Sequence, residues 1–255
     1  MNKRYQSDLT DLQWSKIECF FDIQRKRKHS LLMIMNAIFY LLKTGCQWRM
    51  LPKDFPPHGT VYYYYNKWKH EGLLDEIHDR LREEVREKAG RTKTPTAACI
   101  DSQSVRTTRS GSEERGVDGG KKIKGTKRHI ITDTLGLLLD VVVHAANIHD
   151  SKSAEKVISR LTFRFPDLKT IFADGGYRGE LVERIKGVYG WIISITLRSD
   201  KSTDFQPLPK RWVVERTFAW FESYRRLSKD FEYLTDTSET MIKLASIRLL
   251  LNRIT

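Results

Sequence analysis

Cysteine is scarce in this 255-residue chain: Cys19, Cys46 and Cys99 are odd in number, far apart and never arranged as Cys-x-x-Cys. That excludes a disulfide framework and a zinc ribbon. Long apolar runs are missing too. The longest, residues 31–42, contains Asn36 and falls short of the roughly 20 residues that cross a bilayer, so no membrane partner is expected. The opening residues turn polar and acidic where a secretory signal would carry its apolar segment, which makes the cytoplasm the expected location. Acidic residues are outnumbered, 32 Asp and Glu against 45 Lys and Arg, for a formal charge of +13. An excess of this size favours a polyanionic partner, because cations that neutralise phosphates release condensed counterions. With 40% hydrophobic and 30% charged residues the chain is neither disordered nor membrane-embedded, and its length excludes a stapled mini-protein.

The periodicity divides the chain. Leu31, Leu32, Ile34, Met35, Ile38, Phe39, Leu41 and Leu42 recur at helical spacing, with Gly45 as a stop. Thr60 is the expected cap of a helix over residues 61–70, and residues 73–88 restart as a charged helix after Gly72. Residues 88–95 are polar with Gly90 and Pro95, which places the boundary between a helical domain, 1–94, and a second domain, 95–255. Beyond it, residues 96–105, 129–133 and 137–145 read as an antiparallel meander. Alternation follows: a helix at 151–161, a strand at 170–174, a helix at 179–188 and a strand at 191–197. Two helices, 211–227 and 240–253, close the chain. The fold class is α/β, with a mixed five-stranded sheet flanked by helices behind an all-helical module.

Ile100-Asp101 and Ala173-Asp174 share a local form, an apolar strand ending in a carboxylate, and sites in α/β sheets lie outside the carboxyl ends of strands. Glu215 is a third acid, set inside the apolar and aromatic run Trp212 to Trp220. Three convergent carboxylates suit two Mg²⁺ or Mn²⁺ ions, which stabilise both oxygens of an in-line phosphoryl displacement. Singly, each acid has a plainer explanation: a strand-end Asp caps a turn, and Glu215 pairs with Arg211 one helical turn away. The ordered trio outweighs those explanations. Asp150 reads as a helix cap, Asp133 lies away from the trio, His144 and His149 read as a loop-stabilising pair, and Asp118 and Asp140 as surface residues.

Asp101-Ser102-Gln103-Ser104-Val105, the basic run from Gly120 to His129, Asp174-Gly175-Gly176-Tyr177 and Arg211-Trp212-Val213-Val214-Glu215-Arg216 closely resemble DDE transposases of bacterial insertion sequences, in the related groups numbered four and five, on the group-five-like branch. Thr44 to Pro52 is similar to the N-terminal domain of that family. The resemblance implies a ribonuclease-H-like catalytic domain in which Asp101, Asp174 and Glu215 hold two Mg²⁺, with Mn²⁺ as an alternative. It implies a cytoplasmic, nucleoid-associated bacterial enzyme that cleaves DNA at the inverted repeats of its element and transfers the 3′-OH ends to target DNA, working as a homodimer. Arg211 matches the family's arginine four residues before the glutamate. The usual flanking tyrosine and lysine positions hold Leu208 and Glu222, so Arg225, Arg226 and Lys229 become the candidate phosphate contacts. The connection 199–210 leaves no room for the β domain that some relatives insert before the glutamate.

Lys121, Lys122, Lys124, Lys127 and Arg128 stand beside Gly119, Gly120 and Gly125 in the same domain as the acids, which favours phosphate contact over a merely solvated face. In the helical module, residues 61–70 are the candidate recognition helix of a helix-turn-helix variant, presenting Asn66, Lys67 and Lys69; the plainer alternative makes Tyr62, Tyr65 and Trp68 core. Two rival functions share these features: a catalytically silent DNA-binding regulator and a stand-alone ribonuclease-H-like nuclease.

Overall fold

The computed structural model describes residues 5–196 and 211–255, except the side chain of Arg211. The connection 199–210, with Leu208, lies outside the described residues. The elements in order are α1 (Asp11–Ser15), α2 (Leu31–Thr44), α3 (His58–His70), α4 (Leu73–Lys88), β1 (Ala97–Arg106), β2 (Gly116–Asp118), β3 (Ile123–Asp133), β4 (Leu138–Ala145), α5 (Asp150–Ser159), β5 (Thr170–Ala173), α6 (Glu180–Tyr189), β6 (Ile192–Ile195), α7 (Arg211–Glu222) and α8 (Thr235–Ile254). They group into two compact units, one of Met1–Gly90, Glu222–Ser228 and Thr240–Thr255, the other of Arg91–Phe221 and Lys229–Glu239.

In the first unit, α1 is held by a reciprocal capping box between Thr10 and Gln13. The apolar spacing of α2 buries Ile34, Met35, Ile38, Leu41 and Leu42, and the helix ends on Gly45 in the left-handed region. Helix α3 begins earlier than expected, because the Pro57 carbonyl already accepts from the Thr60 and Val61 amides. Its Tyr65 and Trp68 are core, while Tyr62 and Tyr63 are exposed. Most of α8 belongs here. His78 Nε2 meets Ser246 Oγ at 2.9 Å, and the buried Arg248 donates to Gln13 Oε1 at 2.7 Å.

The second unit is built on a mixed sheet in the order β2-β3-β1-β5-β6, with β4 paired to β3. Among the described residues it has six strands where five were expected. The extra strand, β2, follows from Asp118, whose carboxylate accepts from the Gly120 and Lys121 amides and turns the chain back onto β3. Strand β3 starts at Ile123, so most of the basic run is sheet. At Gly125 a Cβ would lie 2.0 Å from the Val105 carbonyl oxygen, an approach that only glycine permits. Helices α5 and α6 cover a core that includes Ile100, Ile131, Val157, Phe165, Ile171 and Ile185.

Helix α7 stops at Glu222, and a short 3-10 turn over Arg225–Leu227 takes the place of its expected last turns. It docks on the β3–β4 hairpin. Arg216 lies between the rings of Trp212 and Trp220, 4.3 and 4.7 Å from their centroids, and donates to the Leu135 carbonyl. Thr217 donates to the Gly136 carbonyl. Asp133 shapes the hairpin itself by accepting from the Leu135 and Leu137 amides.

Candidate active site

Strand pairing relates two of the three acids. β1 and β5 run parallel with Cys99 opposite Phe172, and continuing that register sets Asp101 opposite Asp174. Neighbouring strands lie about 4.8 Å apart, and residues in register project to the same face. Both side chains are half-buried. Asp101 accepts from the Ser102 amide at 2.7 Å, and Asp174 caps the turn Gly175–Tyr177 by accepting from the Gly176 amide at 2.8 Å.

A polar network that the sequence did not announce runs beside this pair. Ser102 Oγ donates to Asp150 Oδ1 at 2.8 Å, and Lys127 Nζ reaches the same oxygen at 2.9 Å while donating also to the Ile148 carbonyl. The Tyr177 hydroxyl meets His129 Nε2 at 2.7 Å. His129 Nδ1 meets Ser153 Oγ at 3.1 Å. Asp150 is therefore not the helix cap; His149 is, accepting from the Ser151 amide. It lies close to Asp174: a Cβ on Gly176 would sit 3.1 Å from Asp174 Oδ1 and 3.8 Å from Asp150 Oδ2.

The ionisation of these groups follows from burial and charge. Burial alone would raise Asp150, but hydrogen bonds from Lys127 and Ser102 outweigh it and hold the carboxyl below its ordinary value. Burial lifts Tyr177 well above the usual phenol range, and the charges of Asp101, Asp150 and Asp174 add to the effect. His129, fully enclosed, is pushed down to about 3 chiefly by burial and is neutral.

Glu215 is exposed on α7. Among the described residues no three His, Cys, Asp or Glu side chains are grouped closely enough to hold a metal ion. The two partly exposed aspartates offer carboxylate oxygens, the donor type a hard divalent cation takes.

The basic candidates separate by burial. Lys121, Lys122 and Lys124 are exposed at the β2–β3 turn, and Lys121 Nζ comes within 3.4 Å of the Ser102 carbonyl. Lys127 and Arg128, expected as phosphate contacts, are 6% and 4% exposed. Their place inside β3 turns them into the protein, and Lys127 is committed to Asp150. Arg225 and Lys229 are exposed, whereas Arg226 is buried and donates to the Cys46 carbonyl, a structural role. Asn66, Lys67 and Lys69 are half-buried on α3, with Lys67 3.7 Å from Glu71. Asp140, expected at the surface, is 3% exposed and paired with Arg164, because β4 is covered on both faces. Asp118 is half-buried and held below its ordinary value, first by the Ser104 hydroxyl.

Residues 92–250, more than half of the chain, match the family described as "Transposase DDE domain". The chain belongs to the DDE transposase family. Residues 9–78 of this DDE transposase match a second family, described as "Putative transposase of IS4/5 family". A Burkholderia cepacia protein named "Putative transposase for insertion sequence element IS402" is 32% identical to it over 128 residues, which cover 47% of this chain and 60% of that protein. The chain thus spans 60% of the length of the curated relative it matches. No helix among the described residues is long and apolar enough to cross a membrane.

Proposed function

We propose that this chain is a DNA transposase that binds the terminal inverted repeats of an insertion sequence, cleaves strands there and joins the freed 3′-OH ends to target DNA. The observation that carries the reading is the parallel pairing of β1 with β5, whose register continued two residues beyond Cys99 and Phe172 sets Asp101 opposite Asp174, inside the segment that matches the DDE domain. Asp101 and Asp174 would hold the divalent cation, Mg²⁺ or Mn²⁺, on which this family generally depends, with Glu215 completing a set for two ions. When bound, such ions supply electrostatic stabilisation to the attacking and leaving oxygens of a phosphodiester. The protein's own contribution is to hold substrate and acids in line, since hydrolysis and strand joining are the same substitution with different oxygen nucleophiles.

The exposed Lys121, Lys122, Lys124, Arg225 and Lys229, together with Arg211, supply phosphate contacts, and α3 presents Asn66, Lys67 and Lys69 to the terminal repeat. Joining two ends calls for a homodimer, acting at the nucleoid in the cytoplasm. A strand-cleavage assay with terminal-repeat DNA and Mg²⁺ tests the proposal. Asp101→Asn, Asp174→Asn and Glu215→Gln should each lower the rate by at least 10²-fold, on the order expected when an electrostatic contact in the transition state is removed. Full rates in all three variants refute it. The exposed position of Glu215 keeps one rival in view, the silent regulator, which would repress through the repeats without Mg²⁺-dependent nicking.

A further inference from the structure

We infer that the leading helical unit carries a phosphate-binding pocket, with Lys43, Tyr224 and Arg248 among its walls, that takes one phosphate group. The site goes beyond the proposed function, since none of its lining residues lies on α3 or on the strands that relate the two aspartates.

The pocket is a cavity of about 190 Å³ whose polar walls are Gln6, Ser7, Lys43, Tyr224, Arg248 and Asn252. All of them belong to one compact unit. Helix α2 supplies Phe39 and Lys43, four residues apart, and α8 supplies Arg248 and Asn252 at the same spacing, so each pair shares one helix face.

Two positive charges meet the cavity, and neither forms an ion pair among the described residues. Arg248 donates to Gln13 Oε1 at 2.7 Å and to the Asp8 carbonyl at 3.2 Å, and Lys43 donates to the Ser223 carbonyl at 2.7 Å. The charge of Asp8 also acts on Arg248, but no carboxylate lines the cavity. The remaining walls offer donors. Tyr224 is 5% exposed, and its hydroxyl has no hydrogen-bond partner among the described residues. Ser7, 9% exposed, also has an unpartnered hydroxyl. Burial pushes the Tyr224 phenol up to about 12, against the lowering effect of Arg248, so it stays protonated and able to donate. Asn252 gives its Oδ1 to Gln13 Nε2 at 3.0 Å, which leaves its amide N–H groups for the cavity.

Buried polar groups are as a rule hydrogen-bonded, so two orphan hydroxyls at one cavity call for a partner. Water serves hydroxyls, and the volume is roughly ten times what one water needs. Water does not neutralise two cations. A phosphate does both, because it is anionic and presents acceptor oxygens on every side, whereas a carboxylate accepts on one side only. A free phosphate and a phosphate of the DNA backbone share this chemistry, and only the second source rests on the proposed function.

The test titrates inorganic phosphate into the full chain at constant ionic strength and follows the line width of the phosphorus resonance. Tyr224→Phe is the decisive variant, because it removes no charge and no hydrogen bond of the fold; Lys43→Gln is the second. Arg248 is left intact, since it also ties Gln13 and Asp8. Each variant should weaken phosphate binding by about 10-fold, the effect of one hydrogen bond to a charged group, at an unchanged melting temperature. Acetate should not compete. Binding of terminal-repeat DNA without divalent metal separates the two sources. If the backbone supplies the phosphate, Tyr224→Phe weakens DNA binding as well, and Lys43→Gln lowers the slope of log affinity against log salt by about one. If free phosphate is the ligand, both variants bind DNA like wild type while their phosphate affinity falls. Tyr224→Phe indistinguishable from wild type toward both phosphate and DNA overturns the inference, and so does equal competition by acetate. Failure of the functional reading looks different: a wild type that binds phosphate but neither binds nor cleaves terminal-repeat DNA refutes that reading and leaves the pocket standing.

Discussion

Replacing Lys127 by alanine separates two roles for one cation. A phosphate-contacting lysine at the surface can be removed with little effect on folding, within about 0.5 kcal/mol. The structure buries Lys127 to 6% exposure and gives its ammonium two acceptors, Asp150 Oδ1 at 2.9 Å and the Ile148 carbonyl at 2.9 Å. Removing one partner of a buried ion pair costs about 3–5 kcal/mol, because the other charge is stranded. Asp150 would keep the Ser102 hydrogen bond, and its side chain is 29% exposed, so water recovers part of the loss. The expected cost is about 2–3 kcal/mol, allowing for that partial rescue. In a chain of this size it lowers the melting temperature by about 4–12 °C. Urea unfolding followed by circular dichroism measures it, with Lys124→Ala as the exposed control. The asymmetry should also depend on pH. Asp150 is held below its ordinary value in the fold, so the pair's contribution is complete above the unfolded carboxyl value and fades as pH falls through the folded one. A Lys127→Ala cost no larger than that of Lys124→Ala would refute the buried-pair account and return Lys127 to the surface.

His129 carries a second pH signature. Its folded value of about 3 lies below the ordinary 6.5, so between those limits the unfolded state binds the extra proton and stability falls as pH drops. The slope reaches up to about 1.4 kcal/mol per pH unit, and His129→Gln should flatten it in denaturation curves taken between pH 4 and 7 as rough limits. Gly125→Ala should be the harshest single methyl in the sheet, since its Cβ would meet the Val105 carbonyl oxygen at 2.0 Å. Loss of soluble, folded protein is expected, and a variant that melts like wild type would show that β1 and β3 do not approach as described.

The helices whose apolar spacing faces one neighbour were legible in the sequence to within a few residues, as α2 with its Gly45 stop illustrates. The apolar run before Asp174 likewise marked the end of a strand, since β5 stops at Ala173, whereas β1 continues past Asp101 to Arg106, so Asp101 stands within its strand and not at its end. Local patterns also carry their own errors. The basic run from Lys121 to Arg128 announces charge, yet nothing in its order says that a strand begins at Ile123 and turns Lys127 and Arg128 inward. Asp150 resembled a cap because it precedes a helix; its partners Lys127 and Ser102 stand far away in the chain.

Composition, periodicity and motif order by themselves determined that this is a basic α/β chain with a helical leading module and an aspartate just past the strand that ends at Ala173, since each depends on residues near one another in sequence. Tertiary structure alone decided which cations stay at the surface, that most of α8 returns to the leading helices, that Ser102 and Lys127 meet on Asp150, and that Tyr177 meets His129. The reason is physical. Hydrogen bonds and desolvation act over a few ångströms of space whatever the separation along the chain, and a linear pattern records only the latter.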